Sequence, residues 1–165
     1  MKTSEKRYVE HTFAPIVDKD CVTLILGSVP SVKSMQAQFY YMHPQNRFWK
    51  VLSALFAIDF VEMDNDGKRK ALLERHIALY DSVFACNIVG SSDGKISDIV
   101  MSDIPKLLTG SEISRIFCNG AQSFDLLVGA FPELKSMTTK LPSTSPANAI
   151  FSLEKLTEKW KVIIE

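Results

Sequence analysis

An unbroken run of β-favouring apolar residues, Val22-Thr23-Leu24-Ile25-Leu26, stops at Gly27 and predicts a strand buried on both faces, as in a parallel sheet. Ile77-Ala78-Leu79-Tyr80-Asp81-Ser82-Val83 gives a second strand of the same kind, ending near Cys86-Asn87. Ser114-Arg115-Ile116-Phe117-Cys118 gives a third, closed by the tight turn Asn119-Gly120, and Lys135 to Lys140 a short fourth. Between the strands the apolar period changes to that of helices. Trp49, Val51, Leu52 and Leu55 define the buried face of a helix over Phe48 to Phe56. Helices are also expected over Lys68 to His76, Ala121 to Phe131 and Leu153 to Trp160, and from a Ser102 or Asp103 cap through Leu108 with Pro105 in the first turn.

Strands alternating with helices predict an α/β domain with a mostly parallel sheet. Residues 1–20 read as an irregular arm with His11, Phe13 and Pro15 as anchors, and the chain reads as a single domain over 1–165 without internal repeats. In such sheets ligands bind beyond the carboxyl ends of the strands. That rule gathers Gly27–Asn46, Asp81–Asp93 and Pro142–Asn148 around one crevice, with Gly90-Ser91-Ser92-Asp93-Gly94 as a flexible loop. The connection from Ser28 to Arg47 is long for a linker, and connections of that length usually carry function.

Composition narrows the classes. Of 165 residues 46% are hydrophobic, enough for a sizeable core, and 19 basic residues balance 19 acidic ones. Bulk charge therefore does not favour a protein that coats nucleic acid, although a local grip on a few phosphates is compatible with it. Cys21, Cys86 and Cys118 are odd in number and lack CxxC spacing, so they read as buried thiols of a reducing compartment. The charged N-terminus leads to no apolar signal region, and no run is long enough to span a membrane, so a cytoplasmic protein acting as a monomer is expected. His11, His43 and His76 lack metal-ligand spacing, and neither a metal nor an organic cofactor is expected. There is no G-x-S-x-G elbow, Walker A or G-x-G-x-x-G, which argues against serine hydrolases, NTPases and dinucleotide enzymes.

Two stretches carry chemistry. Gly27-Ser28-Val29-Pro30-Ser31 and Pro142-Ser143-Thr144-Ser145-Pro146 are stiff Ser/Pro loops able to hold phosphate oxygens from both sides of a polynucleotide backbone. Tyr40-Tyr41-Met42-His43-Pro44-Gln45-Asn46-Arg47-Phe48-Trp49 mixes aromatic faces with amides, which suits a flat polar ring. Asn119-Gly120 reads mainly as a structural turn.

Taken in order, these motifs resemble the uracil-DNA glycosylase superfamily, and most of all its hypoxanthine-DNA (deoxyinosine) glycosylase branch. The resemblance extends through Asp81-Ser82-Val83 and Gly90-Ser91-Ser92-Asp93 to Leu141-Pro142-Ser143-Thr144-Ser145-Pro146-Ala147-Asn148. It implies a three-layer α/β/α sandwich around a four-stranded, mostly parallel sheet. It also implies an enzyme that flips a damaged base out of DNA and hydrolyses its N-glycosidic bond, leaving an abasic site. The superfamily's commoner water-orienting Asp or Asn before the proline is here Val29, and the His or Asn that opens its second motif is here Leu141. Neither side chain can do that work; the hypoxanthine branch uses an asparagine of the aromatic run, which maps onto Asn46.

The roles that follow are expectations. Asn46 would orient water toward C1′. Phe48, or Tyr40, would stack on the base, while amides at Gly27 and Ser28 and the side chain of Asp81 or Asn87 read its edge. Pro30, Ser31, Ser143 and Ser145 would hold phosphates, and Ala147–Asn148 would approach the gap in the duplex. With no lysine poised as nucleophile, hydrolysis without strand cleavage is expected. The competing readings are a glycosylase for uracil or an alkylated base, and an inactive module that binds lesion-containing DNA.

Overall fold

The computed structural model describes residues 6–89 and 95–165; the expected loop over 90–94 lies outside them. In chain order the elements are β1 (Lys6–Glu10), β2 (Thr23–Gly27), α1 (Val32–Ala37), α2 (Phe48–Phe56), α3 (Asn65–Glu74), β3 (Ile77–Asp81), β4 (Val83–Val89), β5 (Lys95–Met101), α4 (Ile104–Thr109), β6 (Arg115–Asn119), α5 (Ala121–Ala130), β7 (Thr138–Leu141) and α6 (Leu153–Trp160). The central sheet has the order β3-β2-β6-β7 and every pairing in it is parallel.

Side-chain alternation explains the layers. Along β2, Leu24 and Leu26 point to one side and Ile25 to the other, and all three are fully enclosed. Ile25 joins Leu79, Phe117 and Leu141 beneath α2, α3 and α6, through Val51, Leu52, Leu72, Leu156 and Trp160. Leu24 and Leu26 join Ala78, Ile116 and Cys118 beneath α4 and α5, through Ile104 and Leu127. Burying each such side chain is worth about 1.5–3 kcal/mol. Covered on both faces, the sheet is the middle of an α/β/α sandwich, as expected.

Two expectations need correction. The arm over 1–20 is not irregular throughout, because β1 pairs antiparallel with β4. The second predicted strand is also two strands in two sheets. β3 ends at Asp81, and after Ser82 the chain enters β4, the centre of a three-stranded antiparallel sheet ordered β1-β4-β5. Ser82 N–H donates to Gly27 O (2.7 Å) and Val83 N–H to Ser28 O (3.1 Å), so the crossing stays tied to the end of β2. No glycine or proline marks the switch, and residues 83–89 are as β-prone as those before them. The described part of the expected Asp81–Asp93 loop, up to Val89, is therefore mostly strand. The Ser28–Arg47 connection also contains α1, capped by Ser31.

Candidate active site

The carboxyl ends of all four parallel strands open into one cavity lined by Gly27 to Ser31, Tyr40, Tyr41, His43, Asn46, Asp81, Asn119 and Ser143 to Ser145. Gly27 ends β2, Asp81 ends β3, Asn119 ends β6, and the Ser143–Ser145 loop follows β7. Parallel register brings these chain-distant ends side by side: Gly27 pairs with Asp81, and Asn119 with Leu141.

The floor is tight. A methyl group on Gly27 would sit 2.4 Å from Asp81 Oδ1 and 2.9 Å from Tyr41 Oη, so only glycine fits between them. Asp81 is buried, and its other oxygen, Oδ2, lies 2.8 Å from His11 Nε2. Burial first, and then the Asp81 charge, push the Tyr41 phenol well above the ordinary tyrosine range, so it stays protonated. Its enclosed hydroxyl has no hydrogen-bond partner among the described residues.

Asn46 is held by a relay. Its Oδ1 accepts from Phe48 N–H (2.9 Å) and from Thr144 Oγ1–H (2.9 Å). Thr144 Oγ1 in turn accepts from Asn119 Nδ2 (2.9 Å), whose Oδ1 accepts from Thr144 N–H (2.9 Å). Backbone N–H groups at both ends of this chain can only donate, so they fix which end of each amide is oxygen. Both lone pairs of the Asn46 carbonyl are occupied. Its NH2 group, which donates to no protein group among the described residues, is left for a ligand.

Arg47 locks the far wall. Its guanidinium donates to the carbonyls of Ser145 (2.9 Å), Asn148 (3.0 Å) and Phe151, and its backbone N–H to Thr144 O (3.1 Å). Trp160 Nε1 donates to Pro142 O (2.9 Å), so the loop is stapled to α6 at its start as well. His43 Nδ1 accepts from Gln45 N–H (3.1 Å), which leaves Nε2–H of the neutral ring as a donor at the rim.

The structure thus gathers Gly27, Ser28, Pro30, Ser31, Tyr40, Asn46, Asp81, Ser143 and Ser145 at one place. It puts two candidates elsewhere. Phe48 is completely buried behind the cavity, stacked on Tyr41 (centroids 4.0 Å, 24° between planes) and edge-on to Trp49 and Trp160. Tyr41 lines the cavity instead, with Phe48 stacked behind it. Asn87 lies within the antiparallel sheet and donates to Asp98 Oδ2 (2.7 Å), away from the cavity. All three candidate serine hydroxyls of the Ser/Pro loops also accept backbone N–H groups: Ser31 Oγ from Ser34 (3.1 Å), Ser143 Oγ from Ser145 (3.1 Å) and Ser145 Oγ from Ala147 (3.2 Å).

Sequence reasoning passed over Tyr41, Asn119 and Thr144. For Asn119 a usable signal was present, since a polar residue at the carboxyl end of a parallel strand faces the ligand edge.

No protein-family model matches the chain. A hypoxanthine DNA glycosylase of Methanosarcina acetivorans is 32% identical over 159 residues, covering 94% of this chain and 98% of that protein. The chain belongs to the hypoxanthine DNA glycosylase family. A hypoxanthine DNA glycosylase of Methanosarcina barkeri is 35% identical over 86 residues, 52% of this chain and 54% of its own. The solution NMR structure of a candidate uracil DNA glycosylase from Methanosarcina acetivorans superposes with a TM-score of 0.76 at 30% identity, covering 93% of this chain and 97% of that one. The chain thus shares the uracil-DNA glycosylase-like fold, with its pocket at the carboxyl edge of the parallel sheet. Among the described residues no group of His, Cys, Asp and Glu could hold a metal ion, and no helix is long and apolar enough to cross a membrane.

Proposed function

We propose that this glycosylase removes hypoxanthine from DNA, with Asn46 acting on the departing base as a hydrogen-bond donor. The supporting observation is the doubly occupied Asn46 carbonyl. A carbonyl with both lone pairs filled has none left to accept a hydrogen bond from water, whereas the free NH2 can donate to a ring nitrogen or oxygen that gains charge.

In this reading the extruded base lies against Tyr41, backed by Phe48, and meets Asp81 with its edge. Water adds its oxygen to C1′ as the C1′–N9 bond breaks. The electron pair leaves with the base, the water gives up a proton and the base takes one up, leaving hypoxanthine and an abasic sugar. A fixed donor aimed at developing charge stabilises the transition state more than the ground state. The loop clamped by Arg47 holds the flanking phosphates through Ser143, Ser145 and nearby backbone amides, and Pro30 and Ser31 border the opposite side. Ile150 follows on the same loop with 82% of its surface exposed. An exposed apolar side chain beside a pocket that receives a flipped base fits the space the base vacates, better than the small Ala147 or the tethered Asn148.

The test is single-turnover base release, with enzyme in excess, from duplexes carrying hypoxanthine, uracil, an alkylated purine or no lesion. Hypoxanthine is expected to leave fastest. Faster release of uracil or of the alkylated base would reassign the substrate, and tight lesion binding without release would make the protein a binding module.

A further inference from the structure

One buried titratable side chain stands directly behind the pocket and touches no ligand space. His11 follows β1, anchored by its N–H to Phe84 O at 2.7 Å. Its side chain is 0% exposed. It packs among Phe13, Tyr80 and Tyr40, with centroids 4.2, 4.7 and 6.0 Å away. Nε2 lies 2.8 Å from Asp81 Oδ2, while the enclosed Nδ1 has no partner among the described residues. A proton on Nδ1 would be a buried donor with nothing to receive it, a rarer and costlier arrangement than an unused lone pair. The proton therefore sits on Nε2 and is given to Asp81.

That bond settles what Asp81 shows the ligand. Oδ2 is taken, the carboxylate cannot swing, and Oδ1 is presented over Gly27 as an acceptor. Deamination of adenine replaces the amine with oxygen and moves a proton onto N1. Hypoxanthine thus offers N1–H where adenine offers a bare lone pair, which a carboxylate repels.

We propose that His11 is a positioning residue that holds Asp81 as a fixed acceptor for the base N–H, so that the pocket takes the deaminated purine and refuses adenine. This rests on the hypoxanthine reading of the same pocket. A site built to bond a substrate N–H discriminates against an analogue lacking it by about 10⁴–10⁵.

The test compares wild type, His11→Gln and His11→Met in single-turnover release from duplexes carrying hypoxanthine, 1-methylhypoxanthine or adenine. Glutamine returns an N–H near the place of Nε2–H; methionine fills similar space without a donor. Folding is checked by thermal melting, and ¹⁵N NMR of the wild type reads the His11 tautomer. Hypoxanthine release is expected to fall about 10²-fold in His11→Met and to recover most of that loss in His11→Gln. The wild type is expected to reject 1-methylhypoxanthine and adenine, and the spectrum to show a protonated Nε2 and a bare Nδ1. Equal release of hypoxanthine and 1-methylhypoxanthine by the wild type, or full rate and discrimination in a folded His11→Met, overturns the proposal. So does a proton on Nδ1. If the wild type releases no hypoxanthine, the substrate reading itself fails, while the tautomer still decides the His11–Asp81 geometry. If neither variant folds, the wild-type substrate comparison and the NMR spectrum decide.

Discussion

Replacing Asn46 with aspartate separates two mechanisms that alanine cannot. Asn46→Asp keeps an oxygen where Phe48 N–H and Thr144 O–H converge at 2.9 Å each, so the local fold loses little. The change falls on the other arm of the side chain, where an NH2 donor becomes a charged acceptor facing the base. Removing one preorganised donor costs about 10²–10³ in rate, roughly 2.7–4 kcal/mol. Aspartate also adds a negative charge next to a leaving group that is gaining one, so its loss should equal or exceed that of Asn46→Ala. Single-turnover release from a hypoxanthine duplex, with thermal melting alongside, measures this. Thr144→Val extends the test by removing the hydroxyl between Asn46 and Asn119. It strands the buried Asn119 Nδ2, at a cost of about 1–3 kcal/mol in stability. Its rate loss should be smaller than that of Asn46→Ala, since Phe48 N–H still holds the amide. A folded Asn46→Asp at or above the wild-type rate would refute the donor assignment and return Asn46 to orienting water.

Other consequences follow from the same geometry. Gly27→Ala forces a methyl to 2.4 Å from Asp81 Oδ1 and should lower base release by about 10² or more through misplacement of the floor; wild-type release from this variant would mean the floor yields freely. Phe48→Ala should cost about 3–5 kcal/mol by urea titration, because the ring is core behind Tyr41. A loss under about 1 kcal/mol would contradict that placement. Ile150→Ala should leave the melting temperature unchanged and slow release from duplexes while sparing single-stranded DNA, and equal effects on the two substrates would remove the wedge role.

The parallel sheet was legible because its strands are buried on both faces and read as unbroken apolar runs. The antiparallel sheet was not, because β4 continues β3 without a punctuating residue and β1 is short and largely exposed. Gly27, Asn46 and Asp81, which line the cavity, were named from the positional rule and the resemblance. Phe48 and Tyr41 were not told apart, since neighbouring aromatics differ only in which way the backbone turns them. Here Tyr41 adopts a left-handed conformation, φ 55°, immediately before the turn into α2. His11 lay beyond reach for a different reason. Its partner is 70 residues away, and the two meet through the pairing of β1 with β4 and the bridge from Ile16 to Leu79 of β3.

The most direct measurement is the product analysis of one turnover: wild-type enzyme in excess over a duplex with a single hypoxanthine, followed by mass spectrometry of free base and DNA. The account predicts free hypoxanthine in equal amount to an abasic strand that remains uncut, and neither product in the same time from Asn46→Ala. Undamaged DNA recovered from the wild type, or equal product from Asn46→Ala, would contradict it.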